Sequence, residues 1–304
     1  MEISTIIVTY NSAGQIIPCV HSLLDQTGVD FEVLVVDNAS QDTTLAELKK
    51  FGQKIQAIAS PQNLGFGRGN NLGFAASKGR YIYLLNPDAR LIGAVALKEL
   101  CQYMDANPRW GMAGTAVRSA DGGEESRPAT EYPGQRHVSC DFSQLPGGIA
   151  WVVGASMVIR RELYEKLGGF DPEFFLYSEE TDFCLRMRKL GFEVGHISKV
   201  AVEHVGGASE DRHDPYGSSA RKLRGLILFR QKHYAPSDCV WLAKRDLRRA
   251  RFRMVWNGLL ARLHPPRSKA WLKYRQYRAI WEVSLEYLCS ISKKTPRVGF
   301  GAQR

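Results

Sequence analysis

Short apolar runs alternate with helical patterns through the first 117 residues. Residues 3–9 and 31–36 are near-continuous β-rich runs, 55–60 is a weaker one, and 81–85 is a third strong one. Between them, helical patterns fall near 13–24, 43–51 and 67–76. Strands apolar on both faces and separated by helices predict a parallel, doubly wound sheet. The pattern continues with a helix over 94–107, ended by Pro108, and a strand over 112–117.

Residues 118–148 are rich in Gly, Pro, Ser and Glu and lose this periodicity, which predicts a mobile loop over a site. Structure resumes at 150–153, with 156–160 extending it. A helix is expected over 179–190, where Phe183, Met187 and Leu190 recur at i, i+4 and i+7. Ser178 is its expected N-cap, and Glu179 and Glu180 suit the positive helix start. After Gly206 the chain becomes basic and helical. Trp256, Leu259, Leu260 and Leu263 form one apolar stripe, and Arg245, Arg249 and Arg253 share another face. Pro265 and Pro266 break the chain before a second helix lined by Tyr274, Tyr277, Trp281 and Leu288. The expected division is an α/β domain over 1–235 and a basic amphipathic helical extension over 236–304.

Charge sharpens that division. Residues 239–304 hold 16 Lys or Arg against 3 Asp or Glu, which leaves 25 basic and 28 acidic residues before them. The net charge of +10 therefore belongs to the extension. A basic tail on a near-neutral domain calls for an anionic surface, membrane or nucleic acid. The plainer alternative is a solvated helical cap whose tryptophans bury against the core. The six cysteines form no C-x-x-C pair and fit no zinc module, so they read as reduced thiols of a cytoplasmic protein. Neither a signal peptide nor a spanning apolar stretch is expected.

The candidate chemistry gathers at strand ends. In an open parallel sheet, ligands bind beyond the carboxyl ends of the strands. Three such ends are polar: Thr9, Tyr10 and Asn11; Asp37 and Asn38; and Asn86, Pro87 and Asp88. A ring to pack a base, a carboxylate for base or ribose, and a carboxylate holding a metal on phosphates would suit a nucleoside diphosphate. Singly, Asp37 and Asn38 could cap the next helix and N-P-D could be a turn. Their joint placement favours the ligand. From Asn63 to Asn71 runs N-L-G-F-G-R-G-N-N, whose glycines would let backbone approach a ligand and whose Arg68 could reach a phosphate or base. It is neither a dinucleotide fingerprint nor a P-loop, and a glycine-rich turn is the alternative. Glu179 and Glu180 cannot both point the same way. One could face a cavity as general base, though dipole complementarity alone would also account for both. His204 ends a candidate strand before Gly206 and Gly207, either as a structural residue or as a metal or phosphate contact. Imidazole with carboxylate is compatible with Mn2+ as well as Mg2+.

Taken together, S-T-I-I-V-T-Y-N-S, V-L-V-V-D-N-A-S, N-L-G-F-G-R-G-N-N-L-G, Y-L-L-N-P-D, G-A-S-M-V-I-R-R and G-G-F-D-P-E-F-F-L-Y-S-E-E-T-D-F-C-L-R resemble the inverting glycosyltransferases of family 2, over roughly 2–235. The likeness is greatest to their rhamnosyltransferase-like branch. It implies a GT-A fold, an α/β architecture with a mostly parallel, doubly wound sheet flanked by helices. It implies that Thr9, Tyr10 and Asp37 hold the nucleoside, with Arg68 beside the nucleotide; Asn11 and Asn63 are further substrate-binding candidates. Asp88 matches the last acid of the D-x-D motif and would bind Mg2+ or Mn2+, with Asn86 in place of the first acid and His204 as a second contact. Gly154 and Ala155 would line the donor-sugar and acceptor pocket. Glu180 matches the second acid of the E-D motif, the general base, with Glu for Asp, so Glu179 stands as its rival. The donor implied is dTDP-rhamnose, then a UDP-sugar. The acceptor implied is a glycan or lipid-linked species, in cell-wall or O-antigen polysaccharide synthesis at the inner face of a membrane. An anionic membrane surface is a candidate partner, and nucleic acid is not expected. A glycoside hydrolase would leave the nucleoside residues without purpose. A nucleotidyltransferase would call for a more basic phosphate loop. The remaining alternatives are a catalytically silent relative and a nucleic-acid- or membrane-binding protein.

Overall fold

The structure, a computed structural model, describes residues 1–119, 127–204, 214–266 and 268–294. Gly206, Gly207 and the stretch 120–126 of the expected loop lie outside the described residues. The chain divides into two compact units, Met1–Gln135 with Asp141–Arg212, and Arg136–Cys140 with His213–Arg304.

The first unit runs β1 (Ile3–Thr9), α1 (Ile16–Leu24), β2 (Phe31–Asp37), α2 (Thr44–Lys49), β3 (Gln56–Ala59), α3 (Gly65–Ala76), β4 (Tyr81–Leu85), β5 (Ala89–Leu91), α4 (Ala96–Ala106), β6 (Trp110–Ser119), β7 (Ser156–Arg160), α5 (Arg161–Lys166), α6 (Glu179–Lys189) and β8 (Glu193–His204). The sheet order is β3-β2-β1-β4-β7-β6-β8-β5. The α/β architecture expected from the alternating pattern is the one observed. Four of the seven strand pairings among the described residues are parallel, and β7 and β5 supply the antiparallel ones.

Alternation along the central strands feeds two apolar layers. Ile3, Ile7, Val33, Val35, Tyr81 and Tyr83 face the layer of Ile16, Val20, Leu97 and Leu100 from α1 and α4. Ile6, Leu34, Ile82 and Leu84 face Phe183, Tyr164 and Phe170 on the other side. Each such aliphatic side chain contributes about 1.5–3 kcal/mol on full burial. The buried Tyr83 hydroxyl finds Ser156 Oγ at 2.7 Å, which also accepts from Thr115 Oγ1 at 2.6 Å. That satisfies a polar tip inside the sheet.

The glycines of residues 63–71 do a different job from the one expected. A Cβ at Gly69 would lie 2.7 Å from Val8 Cγ1, so this glycine lets α3 lie close on the sheet. Gly65 has φ +79°, and a Cβ there would stand 1.9 Å from the Phe175 carbonyl oxygen. Helix-to-protein approach, not ligand approach, demands these glycines.

The segment expected to be a mobile loop over 118–148 is anchored in its described part. Buried Arg188 donates from Nε to the Pro146 carbonyl at 3.0 Å, and from its terminal nitrogens to Gly147 O at 2.9 Å and the Tyr132 hydroxyl at 3.1 Å. A buried guanidinium needs acceptors, and these backbone carbonyls supply them. Residues 150–153 form only a bridge, Ala129 with Trp151, and the strand begins later, at Ser156.

The second unit contains α7 (Pro215–His233), α8 (Pro236–Arg262) and α9 (Lys269–Lys294). Its start at His213 precedes the expected boundary at 236, because α7 shares a core with α9. Ala220, Leu223 and Ile227 meet Ala279 and Val283 there. Asp214 caps α7, accepting from Gly217 N at 2.9 Å. Arg230 and Asp246 form a buried ion pair at 2.7 Å. No helix among the described residues is long and apolar enough to cross a membrane.

Candidate active site

Strand register decides which loops meet. Thr9 pairs with Asp37, so β1 and β2 end together. Antiparallel pairing of Leu85 with Ser156 brings the residues before β7 to the end of β4. Ala89 pairs with His204, and Asn86 N donates to the Ala155 carbonyl at 3.0 Å. The polar residues singled out at three strand ends, together with Gly154, Ala155 and His204, therefore share one edge.

At one end of this edge two buried oxygens have no hydrogen-bond partner, Thr9 Oγ1 and Asp37 Oδ1. Leaving such groups unpaired costs about 1–3 kcal/mol each, a cost that a ligand supplying hydrogen bonds would offset. Asn11 joins the two loops, its N–H donating to Ser40 Oγ at 2.9 Å and its Oδ1 accepting from Gln41 N at 2.8 Å. Tyr10 is half-buried beside it. Asn38 does not cap α2. Its Oδ1 accepts from Leu64 N at 2.8 Å, and its Nδ2 donates to Asn63 Oδ1 and to the Gly65 carbonyl at 3.0 and 3.1 Å. Asn63 is thereby spent on the turn that starts α3. Arg68 donates Nε to its own helix at Leu64 O, 2.8 Å away.

Strain collects at the same place. The non-glycine residues with positive φ among those described are Asn11 (49°), Ala39 (64°), Tyr177 (75°) and Ser178 (72°). Two follow β1 and β2 and two precede α6. Each costs on the order of 1–2 kcal/mol, and such strain concentrates at ligand sites. It also corrects the expectation for Ser178, which occupies the N-cap position in left-handed conformation without a side-chain cap bond.

At the other end, His204 Nε2 lies 3.1 Å from Asp88 Oδ1 and 3.3 Å from Asn86 Nδ2. Asp88 is buried and His204 is half-buried. Two cis ligands of an octahedral ion with bonds of about 2.1 Å sit about 3 Å apart, so a carboxylate oxygen and an imidazole nitrogen at this spacing fit a hard divalent cation. Among the described residues no cluster of three or more His, Cys, Asp or Glu could hold a metal unaided. A cation here would need further oxygens from a substrate.

The paired glutamates separate as expected of adjacent residues on a helix. Glu179 turns into the protein, its Cβ 3.7 Å from where a Gly67 Cβ would stand, with Oε2 buried and unpartnered. Burial, then the charge of Glu180, raises its pKa well above the usual range. Glu180 lies against Gly154, its Cβ 3.9 Å from where a Cβ on that glycine would stand. Its surface is partly open, but its carboxyl sits deep enough that burial raises its pKa too, opposed by hydrogen bonds from Thr181 and backbone N–H groups. A carboxylate that binds protons more tightly than usual, beside a glycine-lined edge that also holds a carboxylate–imidazole pair, suits proton transfer next to a phosphate-bearing ligand.

The sequence model of Glycosyl transferase family 2 matches residues 4–168, more than half of the chain. The chain belongs to that family. This family 2 glycosyltransferase is 25% identical over 254 residues to N-acetylglucosaminyl-diphospho-decaprenol L-rhamnosyltransferase of Mycobacterium tuberculosis, covering 73% of this chain and 81% of the relative. It is 26% identical over 216 residues to the low-salt glycan biosynthesis hexosyltransferase Agl10 of Haloferax volcanii, covering 67% of each. In three dimensions it is similar to S. aureus TarS in complex with UDP-GlcNAc, with 18% identity and a TM-score of 0.56 over 95% of this chain and 92% of that one. The mannosyltransferase PcManGT from Pyrobaculum calidifontis, in complex with GDP-Man and Mn2+, has 15% identity and a TM-score of 0.57 over 97% and 76%. The GT-A type of α/β fold expected from the motifs is shared with these structures.

Sequence reasoning about this glycosyltransferase marked Asn38 as a ligand-edge or capping residue and missed its actual role, in which its amide stitches the loop after β2 to the start of α3. The N-L-G segment that receives it was visible, but the pairing spans 25 to 27 residues and carries no local pattern. A cleft of about 760 Å³ lined by Ile17, Phe31, Lys50 and Phe51 lies by the start of β2, the opposite end from Asp37, and takes no part in this edge.

Proposed function

We propose that the chain transfers a sugar from a nucleoside diphosphate donor, dTDP-rhamnose before a UDP-sugar, to a glycan or lipid-linked acceptor with inversion of configuration. The observation that carries the proposal is one dipeptide. Ala155 receives the N–H of Asn86, two residues before Asp88, while Gly154 abuts Glu180, so adjacent residues of one loop touch the strand end that would hold the diphosphate and the glutamate that would take the proton. The similarity to an L-rhamnosyltransferase acting on a decaprenol-linked substrate supports the branch, the donor and the acceptor class. The same reading puts the enzyme in the cytoplasm, peripheral at the inner face of a membrane, in cell-wall or O-antigen polysaccharide synthesis. The catalytic part is taken as the first compact unit, with the basic helices as its extension.

Thr9 and Asp37 would bind the nucleoside with their buried oxygens, Tyr10 would pack the base, and Asn11 would hold the two loops together. Arg68 and Asn63 would lie beside the nucleotide. Asp88 and His204 would hold Mg2+ or Mn2+, with Asn86 alongside and phosphate oxygens completing the shell. When bound, such an ion supplies compensation for the negative charge growing on the departing diphosphate. Gly154 and Ala155 would line the donor-sugar and acceptor pocket. Glu180 takes the acceptor hydroxyl's proton. The freed oxygen forms its bond to the anomeric carbon as the opposite bond to the diphosphate breaks, which inverts the centre.

Glu179 is assigned a structural part. Because burial raises its pKa, the folded chain holds that proton more tightly than the unfolded chain. Its contribution to stability is complete below the unfolded pKa and is lost as pH rises through the raised folded value. Glu179→Gln should therefore keep turnover within about threefold of wild type and gain melting temperature relative to it between about pH 5 and pH 8. A melting difference flat across that range would contradict the assignment.

The donor is tested by thermal shift with dTDP-rhamnose, UDP-sugars and GDP-mannose, each with Mn2+, Mg2+ or chelator. At a hundredfold excess over Kd the preferred donor with metal should raise Tm by about 5–10 °C. Shifts indifferent to metal would sink the ion's part in the proposal, and no shift with any nucleotide sugar would sink the donor.

A further inference from the structure

One face of α8 carries large apolar side chains that nothing among the described residues covers. Phe252, Val255, Trp256, Leu259 and Leu263 are 74%, 54%, 60%, 54% and 79% exposed. Their spacing keeps all five within an arc of about 100° at 3.6 residues per turn. Leu260, expected in the stripe, is half-buried and falls outside it, and Phe252 and Val255 extend the stripe instead. The alternative of tryptophans buried against a core does not hold for Trp256.

The same stretch has five arginines, Arg248, Arg249, Arg251, Arg253 and Arg262, and no acidic residue. All five are exposed. On the helical wheel Arg249 and Arg253 border one side of the apolar row and Arg251 and Arg262 the other, while Arg248 continues it by one turn. Arg253 also donates to the Tyr277 hydroxyl at 2.7 Å, which fixes that border against α9. An aromatic and aliphatic row bordered on both sides by guanidinium groups matches a bilayer interface, with acyl chains for the row and lipid phosphates for the borders. Charge argues against a second copy of the chain, since two such faces would bring arginines onto arginines. Nucleic acid would satisfy the arginines and leave the apolar row without a partner.

We propose that this face of α8 docks the protein flat on an anionic lipid bilayer. The docking rests on the reading above only for what it would bring within reach, a lipid-linked acceptor. The test is flotation of the full chain, without donor, on vesicles of phosphatidylcholine alone and of equal parts phosphatidylcholine and phosphatidylglycerol. Binding is expected to the anionic vesicles only and to weaken with salt. The double variant Trp256→Ser/Leu259→Ser, altered only at exposed positions, should lose about 10-fold or more in partition. The triple variant Arg248→Gln/Arg251→Gln/Arg262→Gln should lose roughly 100-fold at low salt. Equal binding to both vesicles, no binding, or wild-type partition of the double variant would overturn the docking. So would a wild-type dimer by light scattering that Trp256→Ser makes monomeric, or tighter binding to arbitrary duplex DNA than to anionic vesicles. Because donor is absent from the flotation, its failure stands apart from failure of the transferase reading, which the donor thermal shift reports.

Discussion

Glu180→Gln lowers turnover by about 10²-fold or more, while donor affinity stays within a few-fold of wild type. The amide keeps the shape beside Gly154 but cannot take a proton. A loss of that size corresponds to about 2.7 kcal/mol of transition-state stabilisation, within the range a positioned general base supplies. The pH profile makes the test specific. Burial raises the Glu180 pKa, so the wild-type carboxyl stays protonated, and unable to act as base, to a higher pH than an ordinary glutamate at about 4.3. Turnover should therefore climb with pH through that raised value and then level. In the variant the climb should disappear, because no titrating base remains. Steady-state kinetics across pH, with calorimetry for the donor, would check both halves. Turnover like wild type, or an unchanged acid limb, would remove Glu180 from the role and return Glu179 to it.

The second large effect is on the Ala155 side of the same dipeptide. Asp88→Ala is expected to weaken donor binding in the presence of Mn2+ by at least about 100-fold, down to the affinity wild type shows with chelator. Asp88 is buried with its Oδ1 next to His204 Nε2, so the variant removes the one carboxylate that the proposal gives to the ion. Isothermal calorimetry with and without metal measures the effect, and circular dichroism confirms that the variant folds. His204→Ala should move in the same direction by a smaller amount, since a neutral imidazole offsets less of the cation's charge. Donor affinity that is unchanged in Asp88→Ala would end the metal assignment.

Much of this was legible from residue order. β1, β2 and β4 are buried on both faces and short, so their apolar runs stood out, and Thr9, Asp37 and Asp88 followed as strand ends. β5 has three residues and α5 has six, too few for periodicity to register. The helix start at Glu179 was read well and its cap was not. Ser178 is a common capping residue, but here it and Tyr177 carry a left-handed turn, and no side-chain cap bond forms. His204 was marked as a candidate, yet its meeting with Asp88 depends on β5 pairing with β8 across more than a hundred residues. The stripe on α8 was half visible, because sequence spacing shows which residues share a face but not which face remains uncovered.

Asn38 grips the start of α3, Gly65 admits the Phe175 carbonyl, and Phe66 N donates to that same carbonyl at 3.0 Å, four residues before the helix that carries Glu180. The loop after β2 and the loop before α6 are thus linked through one run of contacts at the start of α3. A change in the length of either loop would act on the other through these contacts, so variation in this enzyme's specificity has more freedom in side chains than in the lengths of these two loops.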